Sequence, residues 1–397
     1  MSEVRQPKRR IGPRRRGRFV VMVLVIALGV QLPLVAALGH LSGHPGVVRA
    51  LAAAITAGFM ATLFGGRSTW GSPGPLRLYL VLWPFFVWWT LGLTFAALAP
   101  LAVLAARAGH ASWNAAWAIG AVAALLTTLV AFLNRPRVRA HAISIAGLPA
   151  AFDGYRVAQI SDLHCGPFAS GARVDGWVDE VNRLDADLVA VTGDLIANGA
   201  TFVPVVATSL GRLRGRDGVF ACMGNHDYFT DGEEMAAALE RAGLTLLRNR
   251  GVDVRRAGAV LHVAGVDDTW TQRHDLDAAL AARPAGAPVL LLAHDPVLFP
   301  DAAERGVALT LSGHTHGGQL GVPFLAKRFN LARSITRFTT GLYQIGAATL
   351  YVTRGLGTTG LPIRLFVPAE ITLITLRRAP AAATAPERAT DAELQPA

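Results

Sequence analysis

Acidic residues are almost absent from the first 150 residues of this 397-residue chain. That part has 15 lysines and arginines and one acid, Glu3, so its net charge is +14, whereas the remainder sums to −3. The basic excess of the chain therefore belongs to its N-terminal part. A mildly acidic C-terminal part argues against a nucleic-acid-binding surface, and no nucleic-acid partner is expected.

Cysteine is equally scarce. The chain has only Cys165 and Cys222, and no pair spaced as CxxC. This count excludes a disulfide framework, and two free thiols are favoured over one structural disulfide. Cys165 is expected to be a small packing residue.

The N-terminal part contains four apolar runs, each near the ~20 residues needed to span a bilayer. They are Phe19–Leu38, Val47–Gly65, Leu78–Ala105 and Trp113–Leu133. None contains Asp, Glu or Lys, and the long third run holds Pro84 and Pro100, which favour a tilt or kink. The runs predict a multi-pass bundle of about four helices in a plasma or inner membrane. Arg49 lies at the edge of its run, and helices without buried ionisable residues are typical of an anchor, or of a lipid-facing groove that helps to bind substrate, and not of a transporter.

The placement of basic residues predicts the orientation of these helices. Eight lysines and arginines precede Phe19, so the N-terminus should stay in the cytoplasm, and four crossings return the chain there. The predicted organisation is a basic tail at 1–18, a transmembrane region at 19–134, a linker at 135–141, a domain at 142–378 and a disordered tail at 379–397. The domain is predicted to be cytoplasmic.

From about Ala142 short apolar or β-branched runs alternate with helix-like stretches such as Asp175–Leu184 and Asp231–Ala242, which is typical of an α/β domain. The predicted strands are 156-RVAQI-160, 187-DLVAV-191, 219-VFACM-223, 259-AVLHVAG-265, 288-PVLLL-292, 307-VALTL-311, 348-ATLYV-352 and 371-ITLITL-376.

Polar motifs follow five of these strands. In order they are Asp162-x-His164, Gly193-Asp194, Gly224-Asn225-His226-Asp227, His294-Asp295 and Gly313-His314-x-His316. Ligands gather at the carboxyl ends of strands in α/β sheets, so these side chains should meet. In extended chain residues i and i+2 point the same way, which would direct both members of each x-spaced pair at one centre. Any one motif alone is typical of a turn, but the ordered set predicts a metal site.

This series of motifs resembles the calcineurin-like metallophosphoesterase family, and most of all its membrane-associated bacterial branch of YkuE- and YaeI-type proteins. The stretches 317-GGQLGVP-323 and 354-RGLGTTGLPIRLFVPAEITLITL-376 support that branch. The resemblance covers about 142–376 and implies a four-layer αββα sandwich with two divalent metal ions. It implies that one ion takes Asp162, His164, Asp194 and His316, and the other Asp194, Asn225, His294 and His314. Mn²⁺ is favoured, with Fe or Zn²⁺ as alternatives.

Several residues outside the set of metal ligands also have predicted roles. By the resemblance His226 contacts phosphate and protonates the leaving group, and Asp227 is expected to hydrogen-bond its ring, with a simple turn cap as the alternative. Arg354 and Arg364 are candidates for binding substrate phosphate, although ordinary salt bridges are favoured. Asp267 and Asp268 are expected to cap a turn or touch the rim of the site, and His262 and His274 to be core or surface residues.

The predicted function is a membrane-anchored, metal-dependent phosphoesterase that cleaves phosphodiester or pyrophosphate bonds. Its substrate is either lipid-linked or a soluble phosphodiester such as a nucleotide. The alternative is a non-catalytic membrane scaffold or metal sensor on the same fold, which the completeness of the motifs disfavours. The basic and aromatic segment 322–340 is expected to be a surface loop or a contact with an anionic membrane, and the oligomeric state stays open.

Overall fold

The computed structural model describes residues 25–26, 28–64, 73–133, 135–229, 231–321, 325, 330–334 and 336–379. The N-terminal unit is helical, with α1 at Leu32–Ser42, α2 at Pro45–Phe64, α3 at Pro75–Arg107 and α4 at Trp113–Leu133. In the described part of the chain, α2, α3 and α4 are long and apolar enough to cross a membrane. The first predicted run lies partly outside the described residues.

Helix α3 contains both prolines of the third apolar run, Pro84 and Pro100, without a break. It is continuous through Pro100, and the five residues Leu78–Leu82 just before Pro84 form a π-helical turn. A proline lacks the N–H of an α-helical ladder, and a π-turn is one way to absorb that loss. The third run is therefore one long helix. Within the unit, Thr94 Oγ1 lies 3.1 Å from Thr128 Oγ1, so two buried hydroxyls pair between α3 and α4.

The C-terminal unit is an α/β domain. Its strands are β1 (Arg137–Ile145), β2 (Arg156–Ile160), β3 (Leu188–Thr192), β4 (Val219–Cys222), β5 (Thr245–Leu246), β6 (Arg250–Arg256), β7 (Ala259–Gly265), β8 (Val289–Leu292), β9 (Leu309–Ser312), β10 (Gly341–Ile345), β11 (Ala348–Val352) and β12 (Glu370–Arg378). Its α-helices are α5 (Gly171–Asn182), α6 (Val203–Leu210), α7 (Gly232–Arg241), α8 (Leu276–Leu280) and α9 (Phe299–Glu304).

The strands form two six-stranded mixed sheets. The first has the order β1-β12-β2-β3-β4-β5 and the second β10-β11-β9-β8-β7-β6. Strands β2, β3 and β4 are parallel neighbours in the first sheet, as are β7, β8 and β9 in the second. The carboxyl ends of β2, β3, β4, β8 and β9 carry the five motifs found in the sequence.

Three hydrophobic clusters hold the layers together. The cluster between the sheets includes Leu188 and Phe220 from the first sheet and Leu290 and Leu311 from the second. A second cluster packs α5, α6 and α7 on the outer face of the first sheet, and a third packs α8 and α9 on the second. The predicted four-layer αββα sandwich is confirmed. Gln159 also joins the sheets, since its Nε2 donates to the carbonyl of Ser312 at 3.0 Å.

The domain begins earlier than the sequence indicated. Strand β1 starts at Arg137, inside the predicted linker, and pairs in parallel with β12 from Arg137–Glu370 to Ile145–Arg378. The first half of β1 is exposed and alternates arginine with small residues, so it lacks an apolar signal. The basic tail at 1–18 and nearly all of the predicted C-terminal tail lie outside the described residues.

Candidate metal centre

The five motifs meet where the two sheets face each other. Asp162, Asp194 and Asn225 follow β2, β3 and β4 of the first sheet, and His294 and His314 follow β8 and β9 of the second. The prediction that strand ends deliver these side chains to one place is therefore confirmed by the geometry. Among the candidate metal ligands only His314 is partly exposed, and the neighbouring His226 is partly exposed as well.

The chain turns at these positions in a way that the sequence analysis did not predict. Five candidate ligands have left-handed backbone angles: Asp162 (φ 53°), His164 (φ 45°), Asp194 (φ 55°), His314 (φ 70°) and His316 (φ 52°). The pairs spaced by one residue thus converge through tight turns, and the expected extended backbone was wrong. Left-handed non-glycine residues cost free energy and cluster at functional sites.

The first group of candidate ligands is Asp162, His164 and His316, whose donor atoms lie within 4.8 Å of one another. His164 Nε2 is 3.0 Å from His316 Nε2, and His316 Nε2 is 3.5 Å from Asp162 Oδ1. Two imidazole nitrogens facing each other at this distance need either a shared proton or a cation between them.

The second group is Asp194, His294 and His314, which meets the same distance limit. Asp194 Oδ2 is 3.2 Å from His294 Nε2, and His314 Nδ1 is 3.2 Å from the same nitrogen. Asp194 Oδ2 also lies 3.6 Å from His164 Nε2 of the first group. One carboxylate oxygen therefore stands between the two groups.

Carbonyl oxygens orient two of the imidazoles. His294 Nδ1 lies 2.7 Å from the carbonyl of Thr192, and His226 Nδ1 lies 2.8 Å from that of Ala197. Because a carbonyl can only accept, each Nδ1 is the donor and each Nε2 is left for the site. Such contacts fix the tautomer and the ring plane of metal-binding histidines.

Asp227 does not hold the ring of His226, and that prediction was wrong. Its Oδ2 accepts from the backbone N–H groups of Asp194 (3.0 Å) and Gly224 (2.9 Å), and its Oδ1 from those of Leu195 (2.8 Å) and Ile196 (3.4 Å). The alternative of a turn cap is closer to the structure, since Asp227 also caps the short helix Asn225–Tyr228. Its buried carboxylate joins the loops after β3 and β4.

The charges of the site are strongly coupled. Burial would raise the pKa of Asp194, but the charge and hydrogen bond of His294 outweigh burial and hold that pKa well below its usual range. Burial would lower the pKa of His294, but Asp194 raises it to about 10. Burial lowers the pKa of His164 to about 3. The folded site thus favours neutral His164 and a positive charge beside Asp194.

These residues fit a pair of divalent cations. The buried Oδ1 of Asn225 has no hydrogen-bond partner among the described residues, which is unusual for an acceptor in a protein interior. Buried carboxylates, imidazole nitrogens and this amide oxygen together form the mixed donor set of borderline divalent ions. A cation near Asp194 would also replace the proton that His294 otherwise provides.

The two arginines that are candidates for binding substrate phosphate, Arg354 and Arg364, have different surroundings. Arg364 is 3% exposed and donates to the carbonyls of Arg354 and Gly357, each at 2.7 Å, with its Nη2 3.1 Å from His316 Nδ1. A guanidinium committed to buried carbonyls is not open to a phosphate, so the predicted substrate contact does not fit Arg364. Arg354 lies 3.5 Å from Glu370, which is the ordinary ion pair that was favoured for it.

Two exposed aromatic side chains lie at the rim of the candidate metal centre, and the sequence analysis did not predict them there. The Trp270 ring is 5.3 Å from that of His314, and the Phe229 ring is 4.5 Å from that of His226. Trp270 is 59% exposed although its loop is fixed, because Asp268 accepts from the N–H groups of Trp270 (3.2 Å) and Thr271 (2.7 Å). Asp268 caps a turn as predicted. The sequence signal that could have indicated Trp270 was a lone tryptophan within the polar stretch 267-DDTWTQRHD-275.

The remaining sequence predictions have plain outcomes. Both cysteines are buried and free, and His262 is a core residue paired with Asp253 at 2.9 Å. His274 is exposed. Residues 322–324, 326–329 and 335 of the basic and aromatic segment lie outside the described residues.

A family model for calcineurin-like phosphoesterases matches residues 155–318. The chain is also 32% identical over 304 residues to a Bos taurus protein named transmembrane protein with metallophosphoesterase domain, covering 68% of this chain and 67% of the relative. The chain belongs to the calcineurin-like phosphoesterase family. The metallophosphoesterase YkuE of Bacillus subtilis is 32% identical over 241 residues, which are 60% of this chain and 84% of that protein. A metallophosphoesterase of Aquifex aeolicus is 31% identical over 250 residues, which are 61% of this chain and 92% of that protein.

Family membership gives the geometry a chemical meaning. Calcineurin-like phosphoesterases use divalent metals to hydrolyse phosphoesters, and this member has three overlapping groups of Asp and His residues that could hold them, the third being His164, Asp194 and His226. Its apolar helices and the name of its Bos taurus relative indicate a membrane protein.

Proposed function

We propose that the chain is a membrane-anchored phosphoesterase with two divalent metal ions, which hydrolyses phosphodiester or pyrophosphate bonds of a lipid-linked substrate. The observation that carries this proposal is the position of Asp194 Oδ2, 3.2 Å from His294 Nε2 and 3.6 Å from His164 Nε2. A carboxylate shared between two groups of imidazoles is suited to bridge two ions.

The candidate ligands divide into two sets that share Asp194. Asp162, His164, Asp194 and His316 would hold one ion, and Asp194, Asn225, His294 and His314 the other. Two bound ions supply Lewis-acid activation of the phosphoryl group and of the attacking water. Mn²⁺ is the favoured metal, and Fe or Zn²⁺ would fit the same mixed set of imidazole, carboxylate and amide ligands.

His226 would act on the leaving group. Its Nδ1 donates to the carbonyl of Ala197 at 2.8 Å, which leaves Nε2 facing the site, and in the imidazolium form of the ring Nε2 carries the proton that goes to the departing oxygen. The ring is partly exposed, unlike most of the other candidate residues, so a substrate can reach it. Asp227 supports the site indirectly by fixing the backbone of Asp194 and Gly224.

The membrane anchor supports a lipid-linked substrate. Helices α2, α3 and α4 are long and apolar enough to cross a bilayer and belong to the same chain as the site. The bias of basic residues toward the N-terminus supports a cytoplasmic domain. Compartment-sensitive reporters fused to each terminus test the orientation, and a periplasmic or extracellular C-terminus would overturn it.

Turnover of bis(p-nitrophenyl) phosphate by the full-length protein in detergent tests the activity. Release of p-nitrophenol is expected with Mn²⁺, and chelator or Asn225→Ala should abolish it. His226→Ala should lower turnover while metal content stays the same. Bound metal without turnover of phosphodiesters or pyrophosphates would favour the sensor alternative, and absence of bound metal would overturn both.

A further inference from the structure

A pocket of about 320 Å³ lies beside the candidate metal centre. Its walls come from the turn that contains His314 and His316, from Ala332 and Thr336, and from the loop that ends at Leu361. The two histidines belong to both the pocket and the metal centre. A phosphoester at the centre therefore has this pocket as a neighbour for one of its substituents.

Three polar side chains of the wall, those of Gln319, Thr315 and Thr336, already have hydrogen-bond partners in the backbone of the domain. Gln319 Nε2 donates to the carbonyls of Thr359 (3.1 Å) and Leu361 (2.8 Å), and its Oε1 accepts from the N–H of Thr359 at 2.9 Å. Thr315 Oγ1 donates to the carbonyl of Thr339 at 2.6 Å. The hydroxyl of Thr336 accepts from the N–H of Phe338 at 3.2 Å.

What remains along the wall is mainly hydrocarbon, from Leu320, Ala332 and Leu361. A sugar or base placed here would lose hydrogen bonds to water without gaining replacements from Gln319 or Thr315, which disfavours a polar substituent. An alkyl chain loses no hydrogen bond and leaves water, which is favourable in proportion to its buried area.

We propose that this pocket is a subsite for a hydrocarbon chain carried by the phosphoester, an inference that rests on the proposed function. The reaction is the same hydrolysis: water adds to phosphorus, the bond to the leaving oxygen breaks, and that oxygen takes up a proton. The hydrocarbon chain stays on the phosphate and selects the substrate. The apolar helices of the same chain place the enzyme in a bilayer, where such phosphoesters are concentrated.

A chain-length series tests the subsite. Methyl, butyl and octyl p-nitrophenyl phosphates share one leaving group, so their kcat/KM values with the full-length protein and Mn²⁺ report the alkyl chain alone. Each added methylene should raise kcat/KM by up to about three- to fourfold until the pocket is filled. Leu361→Asn should flatten this dependence, and Leu361→Trp should move the plateau to shorter chains because it fills the pocket.

Two features of the design separate the possible causes. Longer alkyl chains also partition into detergent micelles, but this partitioning is the same for every variant. Incomplete folding of a variant lowers all of its kcat/KM values by the same factor, so it leaves the dependence of kcat/KM on chain length unchanged. Val205→Asn is the matched control, because Val205 is an exposed apolar residue of α6 outside the pocket, and it should keep the wild-type dependence.

The outcomes separate this inference from the proposed function. A dependence that is equal in wild type and Leu361→Asn, with turnover present, would overturn the subsite and leave the phosphoesterase intact. Absence of turnover with every ester would overturn the proposed function and the subsite with it.

Discussion

The carboxylate of Asp227 fixes the backbone of Asp194. Its Oδ2 accepts from the Asp194 N–H at 3.0 Å, while the Asp194 side chain stands between the two groups of candidate ligands. The Asp194 Oδ1 in turn accepts from the N–H of His226 at 2.9 Å. Two hydrogen bonds thus connect the loops after β3 and β4. They fix the main chain of Asp194, whose side chain lies between the two groups of candidate ligands.

Asp227→Asn is expected to disturb this connection. The substituted amide replaces one acceptor oxygen by a donor that faces backbone N–H groups, so the free energy of unfolding should fall by ~1–3 kcal/mol. The affinity for Mn²⁺ should fall ~10–100-fold, as for other losses of a group that orients a ligand. Chemical denaturation and metal titration measure the two effects, with Asp231→Asn, at an exposed helix cap, as control. An unchanged metal affinity would show that Asp227 matters for folding alone.

Asp194→Asn should impair both metal ions at once. The variant removes the negative charge that two groups of ligands share, so metal affinity should fall by at least ~100-fold, more than any loss outside the ligand set. Metal content after dialysis, measured by elemental analysis, should drop from two ions per chain toward zero. A variant that keeps one tightly bound ion would contradict the bridging position.

His226→Gln should reduce turnover without loss of metal. General acid catalysis contributes ~10²–10⁴-fold, and this contribution grows as the leaving group becomes a stronger base. The loss in kcat should therefore be larger for an alkyl leaving group than for p-nitrophenol. Since the donor atom of His226 also lies within 4.8 Å of those of His164 and Asp194, loss of metal in this variant would instead identify it as a ligand.

Trp270→Ala should weaken the binding of aromatic esters. The exposed indole stands 5.3 Å from the His314 ring on a loop that Asp268 fixes. Stacking with an aryl group is worth ~0.5–1.5 kcal/mol, so KM for bis(p-nitrophenyl) phosphate should rise roughly two- to tenfold with little change in kcat. Val205→Ala is the control at a distant exposed apolar residue. An unchanged KM would leave Trp270 without a role in binding.

Asp187 should make the stability of the domain depend on acid pH. Burial raises its pKa, but the N–H of Arg156 at 2.8 Å and the guanidinium of Arg256 at 2.8 Å outweigh burial and hold the pKa below its usual value. A lowered folded-state pKa stabilises the protein above the unfolded value of ~3.9, and that stabilisation disappears as the pH falls through the folded value.

The variant Asp187→Asn therefore should lower the free energy of unfolding at neutral pH by ~1–3 kcal/mol. The difference from wild type should shrink below about pH 4, in unfolding curves recorded across pH. Asp185→Asn is the matched control, because its side chain is 67% exposed and contributes little. A difference that stays constant with pH would exclude the charge of Asp187 as the cause.

Much of the fold followed from local pattern. The β2, β7 and β11 boundaries coincide with the predicted runs, and β3, β4, β8, β9 and β12 differ from theirs by two residues or fewer at each end. Most residues of these strands are buried on both faces, and their sequences are mainly apolar. Strands β1, β5, β6 and β10 were missed because they are exposed, polar or only two residues long, and their formation depends on partners far along the chain.

Which residues meet could be predicted from the sequence, because each motif directly follows an apolar strand and parallel strands of a sheet end at a common edge. The apolar helices could be predicted as well, since their length and lack of acidic residues need no partner to be recognised. How the side chains converge depends on the tertiary structure. Three features depend on contacts between segments far apart in the chain. They are the left-handed turns at Asp162 and His314, the four backbone N–H groups that donate to the Asp227 carboxylate, and the burial of Arg364. Such contacts leave no local pattern, because a carboxylate or guanidinium can satisfy any donor or acceptor that the fold brings within reach.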